Sequence, residues 1–305
     1  MKISVVIPTY GAPNSLSELH RRLVAVFAKI KCEYEVIFVN DACPFDSWSR
    51  IKEIQATDSK VIGLNLVRNF GQHAAIAAGL QEANGDWITV MDCDLQDDPS
   101  QIDNLLEVAQ RGFDVVLARR AERKERPLKR LQSFIFYKTL STFLDVKLDH
   151  RVGNYGLYSR RTIDAVNSMD DRVRFFPYLV SWLGFPTSYV DVTQHEREEG
   201  KSSYTFRKAL KLAFDFAISS SNKPLIWSVQ LGALCALGSF TLGIVYLVRY
   251  FTLGLAPSGW TSLIVTIFFA TGIILINLGI LGLYLARTYD QTRHRPTFII
   301  GEKIF

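Results

Sequence analysis

The chain has 305 residues, of which 48% are hydrophobic and 21% charged, with a formal net charge of +5 at pH 7 and a mean hydropathy of +0.10. This length allows one large domain and an additional segment, and a positive mean hydropathy over so long a chain indicates a membrane segment. The cysteines, Cys32, Cys43, Cys93 and Cys235, lack the paired spacing of metal fingers. Their spacing excludes a zinc-finger protein and is typical of reduced thiols in a protein that faces the cytosol.

Strands and helices are predicted to alternate along the first part of the sequence. Apolar runs predict strands at 3–7, 34–39, 61–67 and 114–118, with helices from about 14 and from 47 and an alanine-rich helix that follows the segment 69–73 and ends at 82. Ser15 and Glu18 have the spacing of a helix capping box. The alternation predicts an α/β fold with a doubly wound, mostly parallel sheet. The first strand is followed by Pro-Thr-Tyr-Gly at 8–11, not by G-x-G-x-x-G, which excludes a dinucleotide-binding fold.

Another apolar run, from Trp87 onward, predicts a strand buried on both faces that ends at Asp92 and Asp94. In open α/β sheets, ligands bind beyond the carboxyl ends of the strands. Magnesium takes one or two carboxylates and completes its shell with waters and substrate phosphates, so we expect this pair to bind a metal against a nucleotide diphosphate. An ordinary acidic turn is the alternative. Asp97 and Asp98 are expected to cap a helix that begins at Pro99.

Two uncharged apolar stretches, 225–248 and 262–286, are predicted to span a membrane. Each has about 24 residues, or ~36 Å as a helix, against a hydrocarbon core of ~30 Å. Basic residues lie before the first stretch and after the second, so the positive-inside rule places the large domain and the tail in the cytoplasm. We expect a catalytic domain at 1–203, an amphipathic juxtamembrane helix at 204–223, two membrane helices within 224–287 and a cytosolic tail at 288–305. Residues 295–300 are a candidate contact with a neighbouring subunit of a homo-oligomer.

The densest basic run, 119–130, precedes a segment in which aromatic residues lie on one side of a predicted helix. This combination is typical of a helix in the lipid headgroup layer. A solvated charged loop is the alternative, and nucleic-acid binding is weaker still. We therefore expect a membrane partner and no nucleic acid.

Several motifs together resemble the glycosyltransferase family 2 enzymes that charge polyprenyl phosphates, the group of dolichol-phosphate mannose synthase and the bacterial undecaprenyl-phosphate glucosyl and aminoarabinosyl transferases. The motifs lie at 4–10, 39–41, 68–73, 91–97, 154–160 and 195–204. The resemblance implies a GT-A fold, a Mg²⁺ or Mn²⁺ cofactor, a nucleotide-sugar donor and a polyprenyl (undecaprenyl) phosphate acceptor at the cytosolic face of a bacterial inner membrane. A UDP-sugar such as UDP-glucose is the first expectation, with an amino- or formamido-sugar or GDP-mannose as the alternatives.

The resemblance also implies roles for single residues. Nucleotide contacts fall on Pro8, Tyr10, Asp41 and Asp92, and metal contacts on Asp92, Asp94 and Gln96. The acceptor phosphate falls on Arg119, Lys129, Arg130 and Ser133, with Arg197, Ser202 and Tyr204 on a closing loop. Each has a structural alternative, such as a turn at Pro8 and Tyr10 or a helix start at Ser202 and Tyr204.

The implied reaction is a single displacement at the anomeric carbon, which inverts it. Asp94 is placed among the catalytic residues. Many relatives carry an acid where this sequence has Asn154. A phosphate monoester has a second pKa of about 6 and needs little deprotonation. Asn154 is therefore expected to orient the acceptor phosphate or the donor sugar, and Asp149 is the nearest candidate acid to substitute for the missing one.

Two other functions are weighed against this transfer. A non-catalytic membrane scaffold that binds nucleotide sugars is disfavoured by the intact pair of Asp92 and Asp94. A processive polysaccharide synthase is disfavoured because the sequence lacks a Gln-x-x-Arg-Trp motif and many spans. The segment 40–46 replaces the more usual Asp-Gly-Ser-x-Asp loop, which leaves the identity of the nucleotide base open.

Overall fold

The computed structural model describes residues 1–120, 149, 151–171, 175–193, 221–253 and 259–305. Two compact units divide the chain. One contains Met1–Ala209 together with Arg295–Phe305, and the other contains Leu210–His294. We call them the catalytic unit and the helical unit.

The catalytic unit alternates strands and helices, as the sequence predicts. Its elements are β1 (Lys2–Thr9), α1 (Ser15–Ile30), β2 (Glu33–Asn40), α2 (Ser47–Thr57), β3 (Val61–Leu66), α3 (Gln72–Glu82), β4 (Trp87–Val90), α4 (Gln101–Ala109), β5 (Val115–Arg120), β6 (Val152–Ser159), α5 (Arg160–Ser168), α6 (Phe176–Leu183), β7 (Thr187–Val192) and β8 (Ile300–Ile304). The strands form one sheet in the order β7-β5-β6-β4-β1-β2-β3-β8. Only β6 and β8 run against the others in this sheet, which confirms the predicted mostly parallel arrangement.

The sheet separates two apolar cores because successive side chains of a strand point to opposite faces. Ile3, Val5 and Ile7 of β1 face the core formed with α1, α2 and α4. Val6 faces the core formed with α3, α5 and α6. Burial on both faces explains the nearly continuous apolar run in β1. Helices on both sides leave the ends of the parallel strands as the open part of the sheet.

The predicted capping box at α1 is wrong. The helix begins at Ser15, and Asn14 precedes it without a side-chain cap bond. Ser15 lies within the first turn and its hydroxyl donates to the carbonyl of Cys93 at 2.5 Å. Glu18 instead accepts bonds from Arg21 and Arg22 on its own helix. Ser15 therefore ties α1 to the loop that follows β4.

The last strand, β8, adds the C-terminal residues to the edge of the sheet beside β3. Gly63 is paired with Ile304, and a Cβ at position 63 would lie 2.7 Å from the Ile304 side chain, so the close approach requires glycine. Trp48 donates its indole N–H to Glu302 at 2.8 Å. The tail, predicted as a candidate contact with a neighbouring subunit, thus completes the sheet of its own chain.

The helical unit contains α7 (Lys223–Leu253) and α8 (Trp260–Thr292). Within them, Lys223–Thr252 and Leu263–Thr292 are long and apolar enough to cross a membrane, and their most apolar windows bury nothing in the structure. Exposed leucine and phenylalanine side chains along both helices distinguish them from core helices of a water-soluble domain. Most of the predicted juxtamembrane helix, residues 204–220, lies outside the described residues.

Candidate active site

The carboxyl ends of β1, β2, β4 and β5 meet at one edge of the sheet, where β6 begins. The residues that follow these strands include Tyr10, Asp41 and Asp92, and β5 itself ends at Arg120. Ligands of open α/β sheets bind at such an edge. The polar side chains there define the candidate site.

The loop after β4 presents two acids within a tight turn. Asp94 is buried, and its Oδ1 accepts the backbone N–H of Gln96 at 3.2 Å. Leu95, which lies between Asp94 and Gln96, has φ 61°, a left-handed conformation that is strained for a leucine. Its side chain is buried in the core, which holds the turn in place. The turn places Asp92 and Asp94 together on the loop at the sheet edge.

Asp92 lies beside two side-chain amides. Gln72 Nε2 donates to its Oδ1 at 2.7 Å, and the amide of Asn154 lowers the pKa of its carboxyl. Burial and then the charge of Asp94 raise the pKa of Asp92, whereas Arg120 opposes the rise. A carboxylate in this position is stabilised by added positive charge.

Asp97 belongs to the same cluster, so its predicted role as a helix cap is wrong. Its Oδ2 lies 3.5 Å from the backbone nitrogen of Asp92. Burial, followed by the negative charge of Asp92, raises the pKa of Asp97 to about 7. Helix α4 begins at Gln101, later than predicted, and Asp98 accepts the backbone N–H of Ser100 at 2.9 Å just before it. Three acids therefore crowd the end of β4.

The donor set of Asp92 and Asp94 fits a hard divalent cation. Both supply carboxylate oxygens, which magnesium and manganese prefer. Across the described part of the chain, no group of three or more His, Cys, Asp or Glu side chains is arranged to hold a metal ion, so the protein would supply only part of its shell. A metal held here would complete its shell with waters and substrate phosphates, as Mg²⁺ usually does. The side chain of Gln96, the third predicted ligand, lies partly exposed on the same turn.

Adjacent arginines at the end of β5 have different partners. Arg119, predicted to bind the acceptor phosphate, forms a bidentate pair with Asp191 of β7, with Nε 2.6 Å from Oδ1 and the other guanidinium nitrogen 3.0 Å from Oδ2. Arg120 is the arginine whose charge acts on Asp92 and Asp97. Successive strand residues point to opposite faces, which explains the difference. Among the residues that the structure describes, Arg120 is the cationic side chain whose charge acts on these acids.

The predicted nucleotide contacts differ in accessibility. Pro8 is buried within β1, where it is paired with Val39 of β2. Tyr10, one residue after the strand, is 49% exposed. Asp41 is buried, and its two oxygens accept the backbone N–H groups of 70 and 71 at 2.7 and 2.9 Å. Burial nevertheless raises the pKa of Asp41. Tyr10 is thus the accessible member of this set.

The two residues considered for a catalytic acid or base lie at the start of β6. Asn154 contacts Asp92, which places its amide beside the acids. Asp149 pairs with Arg151 at 2.8 Å and accepts its backbone N–H. Asp149 is thus engaged by Arg151, and its role as a substitute for the missing acid stays a prediction.

Six predicted acceptor-phosphate residues lie outside the described residues: Lys129, Arg130, Ser133, Arg197, Ser202 and Tyr204. The structure adds three residues that the sequence interpretation missed as site residues. Gln72 and Arg120 fall within or beside motifs already singled out, but only the register of the sheet shows which side chains face the acids. Asp97 was assigned to a cap because it stands near a proline.

Comparison with known proteins agrees with this geometry. The model of the family described as Glycosyl transferase family 2 matches residues 4–166. A prophage bactoprenol glucosyl transferase homolog of Escherichia coli (strain K12) is 35% identical over 98% of this chain and 98% of its own length. The undecaprenyl-phosphate 4-deoxy-4-formamido-L-arabinose transferase of Proteus mirabilis (strain HI4320) is 32% identical over 99% of this chain and 94% of its own.

Solved structures support the predicted fold. The crystal structure of mannosyl-3-phosphoglycerate synthase from Rubrobacter xylanophilus has a TM-score of 0.51 with this chain, at 14% identity, and the match covers 74% of each chain. At this identity the likeness shows the GT-A fold alone. Together with the family match and the full-length relatives, it establishes that this chain is a glycosyltransferase of family 2.

Proposed function

We propose that this enzyme transfers one sugar from a nucleotide sugar to a polyprenyl phosphate at a membrane surface, with inversion of the anomeric carbon. The observation that carries the proposal is the meeting of Asp92, Asp94 and Arg120 at one edge of the sheet. The names of the two full-length relatives, which specify bactoprenol and undecaprenyl phosphate, support the acceptor class.

The chemistry follows from the charges at this edge. Asp92 and Asp94 would hold a divalent cation, which offsets the charge that develops on the departing diphosphate. The amide of Asn154 lies beside the Asp92 carboxylate and favours its charged form. Arg120 attracts the acceptor phosphate and compensates its charge near the acids. The side chains thereby bring two anionic substrates to one point.

In the transfer, an oxygen of the acceptor phosphate forms a bond to the anomeric carbon. The bond from that carbon to the diphosphate breaks, and the electron pair leaves with the nucleoside diphosphate. The acceptor is ionised near neutral pH, with a second pKa of about 6, so no general base is needed. A single displacement of this kind inverts the sugar and requires no covalent enzyme intermediate.

The helical unit supplies the membrane anchor in this proposal. Two crossings by α7 and α8 return the chain to the side from which it started, which is consistent with the position of β8 in the catalytic sheet. The positive-inside rule assigns that side to the cytoplasm. The cytosolic face of a bacterial inner membrane is where a soluble nucleotide sugar meets a lipid phosphate.

The donor sugar is the finer question. The two relatives named for different sugars are 35% and 32% identical, a difference too small to choose between them. We propose UDP-glucose first, with a UDP-linked formamido-sugar and GDP-mannose as alternatives. Mg²⁺ and Mn²⁺ both suit the oxygen ligands.

The test is a transfer assay with the purified full-length protein, undecaprenyl phosphate, Mg²⁺ and each of these donors in turn. Mass spectrometry of the lipid is expected to show the addition of one sugar residue with one donor, and no product after chelation of the metal. A ladder of added sugars would favour a polymerase. Binding of UDP without any lipid product would favour a non-catalytic scaffold.

A further inference from the structure

Gln72 is not among the predicted ligands of the metal or the substrates, but it contacts one of the predicted metal-binding acids. It is the first residue of α3, its side chain is exposed, and its Nε2 donates to Asp92 Oδ1 at 2.7 Å. The bond joins residues 20 positions apart, on different elements of the sheet edge. An exposed glutamine gains little stability from such a bond, which points to a role in the site and not in the fold.

The backbone just before Gln72 is fixed by hydrogen bonds to a buried acid. Asp41, at the end of β2, accepts the backbone N–H groups of Phe70 and Gly71 at 2.7 and 2.9 Å. Gly71 has φ 95° and ψ 157°, which a side-chain-bearing residue adopts only under strain. Its carbonyl then accepts the first backbone bonds of α3, from 74 and 75. The backbone that positions Gln72 beside Asp92 therefore has little conformational freedom.

We propose that Gln72 is a positioning residue for the metal-binding carboxylate, and that Asp41 maintains its placement through the segment 70–71. This inference rests on the proposed function. A carboxylate has about four acceptor positions, so the bond to Oδ1 leaves others free for a cation. The amide donor fixes the rotation of the carboxylate without adding negative charge among the three acids. Partners of this kind around metal ligands typically change metal affinity by about 10–100-fold when removed.

The first test measures metal binding directly. The full-length protein in detergent is titrated with Mn²⁺ in the presence of UDP, and free Mn²⁺ is followed by electron paramagnetic resonance. Gln72→Ala and Gln72→Met are compared with wild type, because methionine keeps the length of the side chain but removes the donor. Gln81→Ala is the matched control, since Gln81 is an exposed glutamine at the other end of the same helix.

Both Gln72 variants are expected to bind Mn²⁺ about 10-fold more weakly, with Gln81→Ala unchanged. In the transfer assay they should raise the Mg²⁺ concentration for half-maximal rate by a similar factor, with a smaller change in rate at saturating Mg²⁺. A structural role alone would not move the metal dependence in this way.

The inference is overturned if both variants bind Mn²⁺ as wild type does, or if only the alanine variant binds weakly, which would indicate packing and not the hydrogen bond. These results leave the proposed function intact when wild type still transfers sugar. Wild-type protein that neither binds Mn²⁺ with UDP nor forms a glycosylated lipid would overturn both.

Discussion

Asp41 and Asp92 both follow parallel strands at the same edge of the sheet, but their surroundings differ. Asp41 is buried, and both of its oxygens accept backbone N–H groups. Asp92 accepts a bond from the side-chain amide of Gln72 and lies beside Asn154 and Asp94. Position in the fold therefore does not by itself distinguish a structural acid from one that is proposed to bind a metal.

The two acids differ in the mobility of their hydrogen-bond donors and in the charges that lie beside them. Backbone donors are fixed by the chain, so an acid that they hold also holds the chain, as Asp41 holds the segment before α3. Burial raises the pKa of both acids, and the charge of Asp94 raises the pKa of Asp92 further, against the opposing charge of Arg120. With a second acid beside it, Asp92 therefore gains more than Asp41 from an added positive charge. The first arrangement stabilises a loop, whereas the second attracts a cation.

The largest effect should come from removing an acid of the pair. Asp92→Asn and Asp94→Asn are each expected to lower the rate of lipid glycosylation by roughly 1,000-fold, because the charge on the departing diphosphate loses its counterion. Removal of one negative charge from the cluster should leave the Tm unchanged or, at pH values above 7, increase it. Full transfer activity in either variant would contradict the assigned metal site.

The two arginines of β5 provide the next comparison. Arg120→Ala should lower kcat/KM for undecaprenyl phosphate by about 100-fold, the loss of a bond between charged groups, whereas Arg119→Ala should lower it far less. Arg119 already pairs with Asp191 and serves as the matched control. Steady-state kinetics with the lipid varied at saturating donor measures both. Equal losses would remove the distinction drawn between these neighbours.

Substitution of Asp41 should change the stability of the fold more directly than it changes the transfer reaction. In Asp41→Asn, an NH₂ group replaces one acceptor and faces a backbone N–H, so the free energy of unfolding of the catalytic unit should fall by about 2 kcal/mol. Chemical denaturation followed by tryptophan fluorescence measures this change. A variant that is as stable as wild type but inactive would instead make Asp41 a direct substrate contact.

His73, the residue after Gln72, should give the smallest effect. Burial lowers its pKa to about 4, and its Nδ1 has no hydrogen-bond partner in the described part of the chain. Because the unfolded chain binds this proton below about pH 6.5 and the folded chain does not, unfolding becomes easier as the pH falls. Between pH 7 and 5.5 the free energy of unfolding should drop by about 1 kcal/mol. His73→Leu should remove that part of the pH dependence, and an unchanged slope would contradict it.

The sequence was sufficient for elements whose signal is local. The strand ends at Asp41 and Asp92 follow from apolar runs that stop at polar residues, and the two long apolar helices follow from composition. The choice between Arg119 and Arg120 required the orientation of a strand, which a single run of arginines does not reveal. The bond from Gln72 to Asp92 requires knowledge of which strands are neighbours.

Two other misses have different physical reasons. Asp97 stands next to Asp98 and Pro99, a local pattern typical of a helix start, but α4 begins later and tertiary burial placed Asp97 with the acids. The strand β8 is short and follows the apolar helices, and its partner β3 lies more than 200 residues earlier in the sequence. Pairing over that separation depends on the shape of the sheet edge at β3, where Gly63 leaves room for Ile304. No periodic pattern in the sequence of the tail predicts this pairing.

The most direct test of the proposed metal site is to locate Mn²⁺ in crystals of the full-length protein grown with UDP, by anomalous diffraction at the manganese edge. We predict one peak in direct contact with carboxylate oxygens of Asp92 and Asp94 and with the diphosphate of UDP. A peak that avoids this pair, or UDP bound away from the carboxyl ends of β1, β2 and β4, would contradict it.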